Sequence, residues 1–186
     1  MRTAKSRFRV NPMILDSTVM LDLLLVTLAC FSAGAVGALA SAPWTNLSRL
    51  VGNAGALLGA LGAFALGIAG LVGGNLQLTI PDLLPIGGAA LGVDRLSAFF
   101  VVVIAVGAIP VALYAVGYTR EYAGKHSLAA MGFAFNIFIA AMVLVALARN
   151  VLTFLFLWEA MSLASYFLVM TEHEREDTVR AGWFFL

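Results

Sequence analysis

Long apolar runs separated by short polar clusters organise the whole chain. Between those clusters lie five complete spans, about Met20–Ala42, Val51–Gly74, Leu96–Gly117, Leu128–Ala148 and Val151–Met170, and a sixth run from Ala181 that stops at Leu186. Each complete run has roughly 20 residues, the length a helix needs to cross a hydrocarbon core about 30 Å thick. The pattern predicts an all-α integral membrane protein, a multi-pass helical bundle with five complete transmembrane helices and the start of a sixth. Ala181–Leu186 is too short to cross a bilayer, so the sequence reads as a truncated or fragmentary reading frame.

The polar clusters predict the connections. Asn75–Asp94 holds Pro81, Pro85, Gly87 and Gly88 among short apolar patches such as Leu76–Ile80. These breakers oppose helix and fit a non-helical surface segment, extended or hairpin-like, over residues 75–94. Pro43–Leu50, Tyr118–Ser127 and Thr171–Arg180 are expected to be short polar links, and residues 1–19 a basic leader. There is room for a single membrane domain over residues 1–186 and none for a separate soluble one. Within the second span, Gly55 and Gly59 have GxxxG spacing, with Gly52, Gly62, Gly67 and Gly70 nearby; such glycines let a neighbouring helix approach closely. Pro110 removes one backbone donor from the third span and is expected to bend it.

Composition agrees with the pattern. The chain of 186 residues is 62% hydrophobic and 11% charged, against roughly 25% charged in soluble domains. A net charge of +1 gives no electrostatic case for a nucleic-acid partner. Cys30 is the single cysteine and lies in an apolar run, which excludes an internal disulfide or a cysteine cluster for zinc or iron–sulfur. No metal or redox site is expected in this chain. Charge does not fix orientation: Arg2, Lys5, Arg7, Arg9, Arg95 and Arg149 fall on one side, Arg49, Arg120, Lys125, Arg175 and Arg180 on the other. A start at Met13 or Met20 leaves five cations against two and favours an outside N-terminus by the positive-inside rule.

One residue breaks the apolar pattern of the fifth span. Glu159 lies 10 residues after Arg149 and 13 before Glu172, about 15 Å and 20 Å from those polar edges at 1.5 Å per residue. That depth is close to the bilayer midplane, where ionisable residues usually face a bundle interior or water-filled cavity and mark proton or ion paths. Ser162 at i+3 and Tyr166 at i+7 share its helix face. The stripe suits a water-lined proton relay or an interhelical hydrogen-bond network, and its residues alone leave both open. Asn136 in the fourth span and Asn53 in the second could line a path, but single amides in membrane helices more often serve as packing contacts. His126 and His173 fall in links, and His173–Glu176 lacks the second histidine of HExxH. No histidine lies within a span to activate Ser162 or Ser165, so an intramembrane serine protease is excluded.

Three stretches carry a resemblance: LGVDRLSAFFVVVIAVGAIPVALYAVGY from Leu91, ARNVLTFLFLWEAMSLASYFLVM, and AGWFFL at the end. They resemble the N-terminal part of the antiporter-like membrane subunits of complex I, cation/proton antiporters and membrane-bound [NiFe] hydrogenases. The wording is most similar to the hydrogenase-4 component B and formate hydrogenlyase type. WEAMSLASYFLV at Trp158–Val169 is the specific motif and DRLSAF at Asp94–Phe99 supports it. The resemblance implies a bundle of about fourteen helices built from inverted five-helix repeats, with an outside N-terminus. It implies that Glu159 pairs with a lysine on the seventh helix, which lies beyond this sequence, as one half of a proton relay. The expected function is therefore that of a proton-translocating subunit of a hydrogenase-4-like oxidoreductase complex in the inner (plasma) membrane, with no catalytic centre of its own. Nickel-iron, iron–sulfur or flavin groups would sit in partner subunits, peripheral and membrane-bound. A complex I or antiporter subunit is the near alternative, and a non-conducting scaffold fragment the more distant one.

Overall fold

The computed structural model describes residues 17–81, 88–121 and 127–170. Within them the chain runs α1 (Ser17–Ala40), α2 (Thr45–Val72), β1 (Leu76–Ile80), β2 (Ala89–Val93), α3 (Arg95–Glu121), α4 (Leu128–Leu147) and α5 (Val151–Val169). All five helices are long and apolar enough to cross a membrane. The chain is an all-α integral membrane bundle. His126, His173 and the run from Ala181 lie outside the described residues, as does the leader up to residue 16.

Several boundaries differ from the sequence expectation. Ser17, assigned to the leader, opens α1, and α2 begins at Thr45, inside the stretch expected to be a polar link. That stretch is polar because it forms the wet first turns of a helix longer than the bilayer core. Ser48 in those turns is buried and donates to the Ala38 carbonyl at 2.7 Å, which fastens the start of α2 to the end of α1. At its other end α2 stops at Gly73, whose φ of +127° suits glycine; the Gly73 amide turns back to the carbonyls of Ala69 and Gly70. α3 runs on to Glu121, past the expected Gly117, and Pro110 lies inside it without ending it.

Within the stretch expected to be a non-helical surface segment, β1 and β2 pair as an antiparallel hairpin with Leu76 opposite Val93 and Ile80 opposite Ala89, and residues 82–87 between them lie outside the described residues. Short connections between the spans make successive helices antiparallel, so the hairpin shares one end of the bundle with the start of α1 and the α4–α5 link. Leu76 and Val93 join Met20, Leu24, Leu66, Val101 and Leu147 in one buried cluster at that end. A second cluster, Phe31, Ala56, Ala60, Ala108, Ala112 and Ile139, fills the middle of the bundle.

α2 is the hub, with α1, α3 and α4 packed around it. Its buried residues are mostly glycine and alanine, with Ser48, Asn53 and Leu66 the others, and their small size is what permits three neighbours. A Cβ at Gly55 would collide with the Gly34 backbone of α1, and one at Gly52 would lie 3.2 Å from Gly132 Cα of α4. At Gly67 it would come within 3.0 Å of the Ala98 carbonyl of α3. Lipid tails are as apolar as leucine, so close van der Waals packing of this kind, more than the hydrophobic effect, holds membrane helices together.

Candidate functional site

α5 carries the acid. Asn150 caps it, its side-chain oxygen accepting from the Thr153 amide at 2.7 Å. From there the helix runs to Val169, placing Glu159 about 12 Å from its first residue and about 15 Å from its last. Glu159 is exposed on the described bundle, while Ser162 and Tyr166 on the same side of α5 are half-buried. Beside the acid, Trp158 is 48% exposed and its ring lies 5.6 Å from that of Phe154, one turn earlier. The carboxylate therefore sits near mid-depth on a helix face that the described residues leave uncovered.

Asn136 stands elsewhere. It is fully buried on α4, and its Nδ2 donates to the Gly52 carbonyl of α2 at 2.9 Å and to the Gly132 carbonyl of its own helix at 2.8 Å. Its Oδ1 is buried without a hydrogen-bond partner and packs toward Gly34 of α1. The amide thus ties α4 to α2 where α1 also crosses, and none of these contacts reaches α5. Asn53 points away from it as well, donating to the Thr119 hydroxyl of α3 at 3.3 Å.

The geometry adds residues that the spacing argument did not single out. Asp94 caps α3 reciprocally with Ser97: its Oδ1 accepts from the Ser97 amide and its own amide donates to Ser97 Oγ, both at 2.8 Å. This is the capping-box geometry with serine as the reaching side chain, and it gives the DRLSAF motif a structural reason. Asp94 Oδ2 also accepts from Arg149 of the α4–α5 link at 2.8 Å. The Ser97 amide first, and the Arg149 guanidinium second, hold the Asp94 carboxyl down at about 2.

Further bonds lace the same link to β2. The Arg149 amide donates to the Ala90 carbonyl at 2.9 Å, the Ala90 amide to Thr153 Oγ1 at 3.0 Å, and Asn150 Nδ2 to the Gly88 carbonyl at 3.1 Å. The start of the acid-bearing helix is thereby fixed to the hairpin. Asn-x-x-Thr at 150–153 is legible in sequence as a helix start; its attachment to a strand some 60 residues earlier is not.

The sequence is 45% identical over 98 residues to hydrogenase-4 component B of Escherichia coli K12, which covers 52% of this chain and 14% of that protein. The similarity is to a hydrogenase component. Over 120 residues, 63% of this chain, it is also 38% identical to an uncharacterized protein of Mycobacterium tuberculosis H37Rv, of which that stretch is 18%. The chain thus spans less than a fifth of the length of these curated relatives. No protein-family model matches it.

Proposed function

We propose that this chain is the N-terminal part of a proton-translocating membrane subunit of a hydrogenase-4-like complex, and that Glu159 carries protons in it. The observation that carries the reading is a carboxylate near mid-depth of α5, inside the motif WEAMSLASYFLV, in a chain 45% identical over about half its length to hydrogenase-4 component B. An acid at that depth is stable only against a polar partner or water. Its uncovered face on α5 suits a partner from a later helix, and a basic side chain there would favour the charged carboxylate. Change in that pairing would let the acid take up and release a proton. The subunit itself would do no redox chemistry. Partner subunits would hold the nickel-iron, iron–sulfur or flavin groups, and the complex would lie in the inner membrane.

The test is Glu159→Gln in the intact subunit within its complex, reconstituted in vesicles with proton uptake followed by a pH-sensitive dye. Pumping is expected to be abolished or severely reduced while the complex still assembles. Unchanged pumping would remove Glu159 from the mechanism. The exposure of Glu159 on this bundle also favours a second reading, in which the five helices act only as a scaffold. Proton flux through the reconstituted 186-residue chain that disappears with Glu159→Gln would sink the scaffold idea.

A further inference from the structure

At the end of the bundle opposite the hairpin, four helix ends enclose a pocket of about 470 Å³. Arg49 and Asn53 contribute from the start of α2, Tyr114, Tyr118 and Thr119 from the end of α3, and the first turns of α4 and last residues of α5 close it. We infer that this pocket binds one anionic membrane lipid, its phosphate at Arg49 and the upper part of an acyl chain between α3 and α4.

Position comes first. Arg49 lies in the second turn of α2, and Tyr118 and Thr119 lie within the last turn of α3, the level at which basic and tyrosine side chains meet lipid headgroups. The apolar lining then reaches inward to Val111 and Phe135, about 10 to 15 Å from the helix ends. A cavity polar at the bilayer surface and apolar below it matches an amphiphile lying along the bundle.

Charge selects the kind of headgroup. Among the described residues that line the pocket, Arg49 is the one that carries a charge. One of its guanidinium N–H groups donates to the Val116 carbonyl at 2.9 Å, which holds the side chain across α3 at the pocket mouth. A guanidinium has five such donors in a planar fork suited to phosphate. The Thr119 hydroxyl, spent on the Ala115 carbonyl at 2.6 Å, and the Asn53 amide bonded to it form the polar wall behind. Tyr114 and Tyr118, with ring centroids 5.8 Å apart, form a stacked aromatic side to the opening.

The experiment is native mass spectrometry of the 186-residue chain released from nanodiscs of phosphatidylglycerol and phosphatidylcholine in equal amounts. One phosphatidylglycerol is expected to stay bound in preference to phosphatidylcholine. Arg49→Gln should lower that retention about fivefold, the size expected for one basic side chain near an anionic surface. Arg95→Gln makes the same charge change at the hairpin end and should leave retention unchanged. Ala115→Phe, which fills the pocket without touching charge, should also release the lipid. Equal retention of the two lipids, equal loss in both arginine variants, or full retention in Ala115→Phe would overturn the inference and leave the pocket to a protein segment.

Discussion

α2 and α5 are both long apolar helices, yet among the described residues half of the most apolar stretch of α2 is buried and only 11% of that of α5. The difference follows from side-chain size. α2 turns glycine and alanine toward three neighbours, whereas α5 packs chiefly on α4, touches β2 and exposes Val151, Phe156, Trp158 and Phe167. Exposed apolar residues are at home in lipid, so the exposure of those four carries no penalty there. Glu159 on the same helix is another matter, because hydrocarbon offers a carboxylate nothing. In a soluble protein the exposed residue would be unremarked and the buried one suspect; in a membrane helix that rule is reversed.

If the contrast is physical, the two helices should answer substitution differently. The largest effect is expected for Gly55→Leu, because the added side chain meets the α1 backbone at Gly34, which cannot rotate aside. Overpacking ordinarily costs about 1–3 kcal/mol, and this site should reach at least the upper end, read as loss of the cooperative unfolding transition in detergent. Gly107→Leu on α3, where an added Cβ meets nothing within 4 Å, should leave that transition in place. Phe156→Ala, on the exposed face of α5, should shift it by less than about 0.5 kcal/mol. A large loss there would mean that α5 is packed as tightly as α2.

Next in size is Asn136→Ala. It removes the α4-to-α2 bond to Gly52, and interhelical polar contacts in membranes contribute about 0.6–2 kcal/mol. The same unfolding measurement should show a loss of that order. Glu159→Gln should change the stability of this chain little, since the described residues leave Glu159 exposed on α5. A pair of results in which Glu159 mattered for stability and Asn136 did not would invert the roles assigned to them.

How far these roles were legible in sequence depends on the range of the interaction. The GxxxG spacing of Gly55 and Gly59 announced close packing, and the structure sets Gly34 and the Phe31 ring against them. Glu159 stood out because its depth is a matter of counting residues along one helix. The proline and glycine breakers of residues 75–94 pointed away from helix, and the described residues there include the strands β1 and β2, whose pairing of Leu76 with Val93 the sequence did not announce. What stayed hidden requires elements distant in sequence to meet. Arg149 reads as a polar edge until β2 and Asp94 arrive beside it, and Asn136 could line a path or join helices until α2 presents Gly52. The start of α2 was misplaced for a local reason, since polar residues in a link and in the wet first turn of a helix look alike.

Where α2 is held along its length, α5 is tied at its start, and the tie can be cut by itself. Thr153→Val keeps the shape of the side chain and removes the acceptor of the Ala90 amide. A loss of about 1 kcal/mol is expected, with faster hydrogen exchange at Ala90 and none of the bundle-wide loosening predicted for Gly55→Leu. Uniform acceleration through α1 and α2 would show that hairpin and bundle unfold as one unit.

The smallest effect belongs to the ion pair beside that tie. The Asp94 carboxyl is held at about 2, below its ordinary 3.8, so the folded state favours its charged form. Its contribution to stability is therefore fully present above pH 3.8 and is lost as pH falls toward 2. Both side chains are more than a third exposed, Arg149 at 38% and Asp94 at 41%, so water and salt screen the Arg149 share. Asp94→Asn can still accept the Ser97 amide but cannot hold a charge against Arg149. The stability difference between the native chain and this variant should accordingly shrink between pH 4 and 2, a comparison in which the carboxylates common to both cancel. Raising the salt at neutral pH should narrow the same difference, because it screens Arg149 and leaves the Ser97 cap intact. A difference constant from pH 7 to 2 would mean that the charge of Asp94 adds nothing through either Ser97 or Arg149, and that the backbone and Thr153 bonds to Ala90 and the Asn150 bond to Gly88 secure the hairpin to the base of the acid-bearing helix by themselves.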